Sequence, residues 1–398
     1  MPRSGRPRSF APPALMACLA TLAAVVLAGC GSTAAAGPST AAASVPVAGA
    51  PASAGPRAAT LGGRRAAAAL ASFNRAFYVP SGATAYYANT TAGAKAEFWR
   101  QAELIEMEED AWQATHDPAV KRQIVALLGS VVTRFSHNWS HRPWNDDIEW
   151  MIIAAARAYQ ITGDRAYLSM AQRNFDLVYA RAYSTDFGGG LWWATGGGVR
   201  QEKNVVTNAT AAIAACELAR STGQSAYLAK AKALYRWLVA TLYDPKTGAV
   251  WDHVNRSATG APVTDRASLT YNQGTFIGAC DLVQQALHWR AARSNGIKAL
   301  AYTKTVMAGD GVLPAETGGN GNFPGFKGIF CRWAMKLVRD DGLKEYLPWF
   351  RLNAAAAWRH RDARGLMDAD WSAQTGSGEL NCWGCSSAVV LLQELATR

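Results

Sequence analysis

The chain has 398 residues, with 40 Lys and Arg against 29 Asp and Glu, and a formal charge of +11. Three arginines fall in the first eight residues and no acid precedes Glu97, so residues 30–398 keep +8, an excess suited to an anionic membrane or cell-wall setting. No Lys/Arg-rich stripe with interleaved aromatics occurs, which excludes a nucleic-acid footprint. Arg3, Arg6 and Arg8 form a positive start, and Ala14 to Ala28 an apolar run too short for a stable membrane span.

That run ends in Leu27-Ala28-Gly29-Cys30, which resembles a bacterial lipobox. The resemblance implies cleavage before Cys30 and diacylglycerol on its thiol; the alternative is an ordinary secretory signal with a chance cysteine. Either way the chain is read as exported, with residues 1–29 as signal. Residues 30–65, almost entirely Ala, Ser, Thr, Gly, Pro and Val, lack the apolar bulk for a core and read as a flexible tether. Residues 66–398 form the folded part, with more Trp, Tyr and Phe (15, 13 and 12 in the whole chain) than a core of that size needs.

Trp99 is expected in the core. Glu106, Glu108, Glu109 and Asp110 are expected on a solvated helix face. His137 and His141 have a metal-like spacing, but no third ligand is in register, so no metal is expected. Next comes Trp144-Asn145-Asp146-Asp147-Ile148-Glu149-Trp150, ahead of an apolar helical run. Paired carboxylates between flat indoles are what glycosidic bond cleavage requires. The same residues also suit a plain helix start, with Asn145 as N-cap and Asp146, Asp147 and Glu149 favoured by the helix dipole.

An internal repeat follows. Thr162-Gly163 through Tyr167-Leu168 recurs at Thr222-Gly223 through Tyr227-Leu228, a period of 60, with a weaker echo at Asp341 to Leu347. Each copy reads as helix, Gly-ended turn and second helix. Five to six such hairpins fit the folded length, and strand alternation is nearly absent. The arithmetic favours an all-α (α/α)6 toroid over an open solenoid. In such a ring one set of loops lines a cleft. The loops here carry Gly188-Gly189-Gly190 with Trp192 and Trp193, Gly196-Gly197-Gly198, Trp251-Asp252-His253, and Tyr271-Asn272-Gln273-Gly274. Cys216, Cys280 and Cys331 read as buried; Cys382 and Cys385 either close a short disulfide or sit at a helix start.

Asp146-Asp147 with Trp150, the Gly triplet, Lys203-Asn204, Tyr271-Asn272-Gln273-Gly274 and Phe326-Lys327-Gly328-Ile329-Phe330-Cys331-Arg332-Trp333 occur in this order. The ordered set resembles glycoside hydrolase family 76, the endo-α-1,6-mannanases, from about Ala69 to the C-terminus. The resemblance implies a retaining mechanism with Asp146 as nucleophile and Asp147 as acid/base. Neighbours on one helix turn point about 100° apart, compatible with the roughly 5–5.5 Å of a retaining pair. It further implies that Trp150 is a sugar platform and that Asp252 and Tyr271 bind substrate. Asn272 and Gln273 either join them or cap the following helix. Trp192 and Trp193 extend the cleft or fill the core, with Trp192 taken as a binding residue. Lys203-Asn204 is assigned to orienting the nucleophile or binding a hydroxyl.

The expected protein is thus a monomeric, lipid-anchored glycosidase on the outer face of the membrane, acting on α-mannan or manno-oligosaccharide without a cofactor. The alternatives are a transglycosidase on cell-surface mannose glycans, a non-catalytic glycan-binding lipoprotein, or another toroid enzyme such as a lyase.

Overall fold

The computed structural model describes residues 60–196 and 202–397. Cys30, the signal, nearly all of the tether, Gly197 and Gly198 lie outside the described residues. Helices run in chain order as α1 (Leu61–Phe77), α2 (Phe98–Thr115), α3 (Pro118–Phe135) and α4 (Asn145–Thr162). Then come α5 (Arg165–Ala182), α6 (Val205–Thr222), α7 (Ser225–Thr241) and α8 (Thr270–Leu287). The last are α9 (Arg290–Tyr302), α10 (Phe326–Asp340), α11 (Leu347–Arg359) and α12 (Cys382–Ala396). Helix α1 begins five residues inside the stretch read as tether, with Thr60 Oγ1 accepting the Gly63 N–H.

The repeat marks helix ends as its spacing predicts. Gly163 and Gly223 take φ of 78° and 72° and end α4 and α6 in the left-handed conformation that glycine adopts without steric cost. The even-numbered helices form an inner ring: α2 packs on α4, α4 on α6, and so on to α12, which packs back on α2. That closure excludes the open solenoid. The outer helices α3, α5, α7 and α9 each pack on the helix before them, α11 packs on α12, and α1 also packs on α12.

The two layers differ in their sequences because they differ in how many faces are covered. Outer α5 buries one stripe, Tyr167, Met170, Ala171, Asn174, Phe175, Val178 and Ala182, at helical spacing. Inner α6 is buried without a break from Val205 to Ala219, and its many Ala and Thr side chains let neighbours approach on every side.

Two three-stranded antiparallel sheets, which the sequence did not announce, decorate the ring. One is β1 (Tyr78–Ser81), β2 (Thr84–Thr90) and β3 (Gly93–Lys95); the other is β4 (Glu202–Asn204), β5 (His253–Arg256) and β6 (Pro262–Asp265). Most of these strands are three or four residues long, too short to show alternation.

The acidic run of α2 departs from expectation. Glu106, Glu108, Glu109 and Asp110 are fully buried, because α2 is an inner helix. Asp110 accepts from Arg157 Nη2 on α4 at 2.6 Å and from Arg332 Nε on α10 at 2.7 Å, while Arg332 also donates to Glu103 at 2.6 Å. Burial alone would raise Asp110, but the two guanidiniums outweigh it and hold its carboxyl low. Glu106 has only part of that help, and burial pushes it up to about 8. Glu108 sits apart, bonded to Asn74 at 2.7 Å and Tyr87 at 2.5 Å.

Candidate active site

Helix α4 opens on the two aspartates, and its first turn faces a cleft of about 840 Å³. Asn145 is the first helical residue, not the cap; Trp144 takes that position with φ −84° and ψ 121°. Asn145 is fully buried and ties the helix start to the neighbouring loop: its backbone N–H donates to Trp193 O, and its Nδ2 to Trp192 O at 2.7 Å and Thr195 Oγ1 at 2.9 Å. Arg181 from α5 donates to Asn145 Oδ1 at 2.8 Å, so the amide is held on both sides.

The carboxyls of the pair have unequal surroundings. Asp146 Oδ2 accepts the Trp193 indole N–H at 3.0 Å, and Oδ1 accepts the backbone N–H of Asp147 at 3.0 Å. Among the described residues no group donates to the Asp147 carboxyl. Burial lifts Asp146 to about 7 against the pull of those two donors. Burial, with Asp146 beside it, lifts Asp147 further, to about 8, although Arg142 lowers it. Hydrogen bonds to the charged form favour ionisation, so Asp146 loses its proton first and Asp147 holds one near neutral pH. Glu149, one turn behind, is buried, and burial pushes its carboxyl well above the usual range.

Aromatic side chains line the cleft. Trp144 and Trp193 lie with ring centroids 4.5 Å apart, and Tyr271 stacks on Phe326 at 3.7 Å with the rings 3° from parallel. Trp150 reaches the same space from α4. Trp99, expected in the core, packs against it edge-on to Trp383 and also lines the cleft, its indole N–H on Glu97 Oε2 at 3.0 Å.

Several other expected binding residues lie off the cleft lining. Trp192 lies off the cleft lining, edge-on to Phe187 and 4.7 Å beneath Lys203 Nζ, whereas Trp193 takes the site position. Lys203 neither touches the nucleophile nor opens to a sugar. It is fully buried, and its ammonium donates to the carbonyls of Ser184, Asp186, Gly189 and Gly190 at 2.6–3.0 Å. The glycine run thus presents carbonyls to a lysine. Gly190 has φ +83°, and a Cβ there would lie 2.8 Å from the Trp237 ring. Asn204 caps α6 by accepting the Thr207 N–H.

Asn272 accepts the Leu269 N–H at 2.9 Å, which makes it a cap of α8, and donates to Asp252 Oδ1 at 2.9 Å. Gln273 is buried and donates to Ser268 Oγ. Asp252 holds His253 Nδ1 at 2.9 Å and lies 3.5 Å from Tyr271 Oη, so it backs the aromatic wall. Cys382 and Cys385 are free, buried thiols, and Cys382 opens α12. Among the described residues no three His, Cys, Asp or Glu side chains gather as a metal site, and no helix is long and apolar enough to cross a membrane.

Lys95, Glu97, Phe98, Arg134 and Arg142 also line the cleft and escaped sequence reasoning. Only Arg142 carried a signal, its place just ahead of Trp144.

A family model described as glycosyl hydrolase family 76 matches residues 64–395. The mannan endo-1,6-alpha-mannosidase DFG5 of Saccharomyces cerevisiae is 26% identical over 303 residues, which cover 71% of this chain and 66% of the yeast protein. The chain therefore spans just under two thirds of that relative's length. The α-1,6-mannanase structure from Salegentibacter sp. HEL1_6 superposes with a TM-score of 0.77 at 28% identity, covering 84% of this chain and 99% of that one. An inactive variant of the same enzyme, with two consecutive aspartates changed to asparagine and α-1,6-mannotriose bound, gives a TM-score of 0.77 at 26% identity, with the same coverage.

Proposed function

The chain belongs to glycosyl hydrolase family 76, and from that premise we propose that it cleaves α-1,6-mannosidic bonds by double displacement, with Asp146 as nucleophile and Asp147 as acid/base. The observation that carries the reading is the asymmetry of the pair. Asp146 is fixed by two donors and ionises first; Asp147 has none and keeps its proton. The Salegentibacter variant, inactive with both consecutive aspartates replaced, supports a paired-aspartate chemistry here.

In the first step an Asp146 oxygen forms a bond to the anomeric carbon as the bond to the leaving oxygen breaks, and Asp147 gives that oxygen its proton. In the second step Asp147, now a carboxylate, takes a proton from water while the water oxygen displaces the Asp146 ester. The indoles of Trp144, Trp150 and Trp193 and the Tyr271–Phe326 stack offer flat faces to the sugar rings. Asp252, itself bonded to His253, sits behind Tyr271 and accepts from its hydroxyl.

We assign the protein to the outer face of the membrane, with Cys30 lipidated and the intervening segment as tether. A Cys30→Ala chain that still fractionates with membranes would refute the anchor. Activity is tested by incubating the full chain with linear α-1,6-mannan and separating the products, alongside Asp146→Asn. Manno-oligosaccharides from the wild type alone are expected. Absence of product with retained polymer binding would replace the hydrolase by a glycan-binding protein.

A further inference from the structure

One side of the cleft is cationic, and Asp147 is the acid whose charge acts on it, through the Arg142 guanidinium. Lys95 at the end of β3, Arg134 near the end of α3 and Arg142 ahead of α4 all line the space that holds the aspartates. Each cation rests on an aromatic ring. Lys95 Nζ lies 4.4 Å from the Tyr86 ring centre, Arg134 Cζ 4.7 Å from Phe135, and Arg142 Cζ 3.8 Å from Phe98 and 4.6 Å from Phe135. Phe135 is therefore shared by two guanidiniums, which keeps like charges close together.

Like charges so placed are ordinarily relieved by a carboxylate. Here none of the three forms an ion pair among the described residues, and Arg142 Nε is buried without an acceptor. The acids in the same lining are Glu97, which accepts the Trp99 indole N–H, and the reacting pair Asp146 and Asp147, and among the described residues none of them pairs with the three cations. Nor does this side serve to stack sugars, because a guanidinium already occupies the faces of Phe98 and Phe135. Neutral mannan supplies no counter-charge.

We propose that Lys95, Arg134 and Arg142 form an oxyanion subsite for a phosphate ester carried by the mannose chain, so that the preferred substrate is a phosphate-substituted mannan. This rests on the reading of the cleft as a mannan site. Guanidinium forks match paired phosphate oxygens, and three cations balance a dianion better than a single carboxylate. The phosphate has two chemical forms, a monoester on a sugar hydroxyl or a diester joining the chain to a further group, and the probes separate them.

The test is calorimetric binding to the full chain carrying Asp146→Asn, which removes turnover from the question. The probes are α-1,6-mannotetraose, the same oligomer with a terminal phosphomonoester, and its methyl phosphodiester. Either phosphate probe should bind about tenfold tighter than the neutral one at low salt, with the advantage shrinking in ~0.5 M salt as screening sets in. Lys95→Gln with Arg134→Gln, both at exposed positions, should erase most of that ratio. A larger advantage for the monoester names a substituted sugar; a larger one for the diester names a linkage. Equal affinity for all three probes, or an advantage untouched by the double variant, overturns the subsite and leaves the mannan reading standing. No binding of any probe overturns both.

Discussion

Replacing Trp193 with Phe isolates the bond that sets the nucleophile apart. Phe keeps an aromatic ring against Trp144 and removes the N–H that reaches Asp146 Oδ2 at 3.0 Å. A hydrogen bond to a charged acceptor contributes about 1.5–3 kcal/mol, which corresponds to roughly 1–2 pH units. The bond favours the carboxylate, so its loss raises Asp146 from about 7 toward the level of Asp147 or above it. At pH 7 the ionised fraction, and with it kcat/KM, should fall roughly five- to fiftyfold. The assay is the pH profile of kcat/KM on α-1,6-mannotetraose, whose acidic limb reports the first deprotonation of the pair. That limb should move upward by about 1 unit, the distance to the level of Asp147, while the urea midpoint stays close to wild type. An acidic limb that stays in place would refute the idea that the indole N–H orders the pair.

Asp147→Ala should slow substrates with poor leaving groups most and regain rate with azide; equal loss on every leaving group, without rescue, would remove its acid/base role. Asp110→Asn weakens a carboxylate bonded to two buried guanidiniums and should cost about 3–5 kcal/mol. For a domain of this size that is a fall of roughly 4–7 °C in Tm, and a Tm within a degree of wild type would contradict the network's role. Glu106 and Glu108 hold protons in the fold up to about 8 and about 7, whereas the unfolded chain releases them near 4.5. The folded state therefore binds more protons in that window, and stability should decline as pH rises through it. Urea midpoints between pH 5.5 and 7.5, taken in Asp146→Asn/Asp147→Asn, would show the opposite trend if the reasoning fails.

What could be read from the chain was whatever local periodicity encodes. The 60-residue repeat placed the Thr-Gly turns and the outer stripes, and the Trp-flanked aspartates stood out by charge crowding. What escaped depended on partners far away in sequence. Glu106 and Asp110 look solvent-facing until Arg157 and Arg332 arrive from other helices. Lys203 reads as a nucleophile-orienting or hydroxyl-binding lysine until four carbonyls of one loop converge on it. Trp192 and Trp193 were indistinguishable by composition. They lie in a segment bridged to its neighbours at Leu191 and Ala194, where successive side chains point to opposite sides. One therefore meets Asp146 and the other Lys203. The cationic side of the cleft is drawn from three separate segments, which no linear motif records.

The join between α12 and its neighbours α1 and α2 governs the order in which the chain can become itself during synthesis. Gln393 donates to the Ala66 carbonyl across 327 positions, so the wall of the ring remains open until α12 has been made. Until then α2 and α10 present to water the surfaces that α12 will cover. Contacts this distant along the chain form slowly. Loss of Cys382–Ala396, the residues of α12, would strip out one inner stave with every aspartate and arginine of the core still in place. By the same geometry the two ends of the domain are neighbours. A chain re-opened at the Thr162-Gly163 turn, with its old ends joined, would keep every helix pair and would place the cut between α4 and α5.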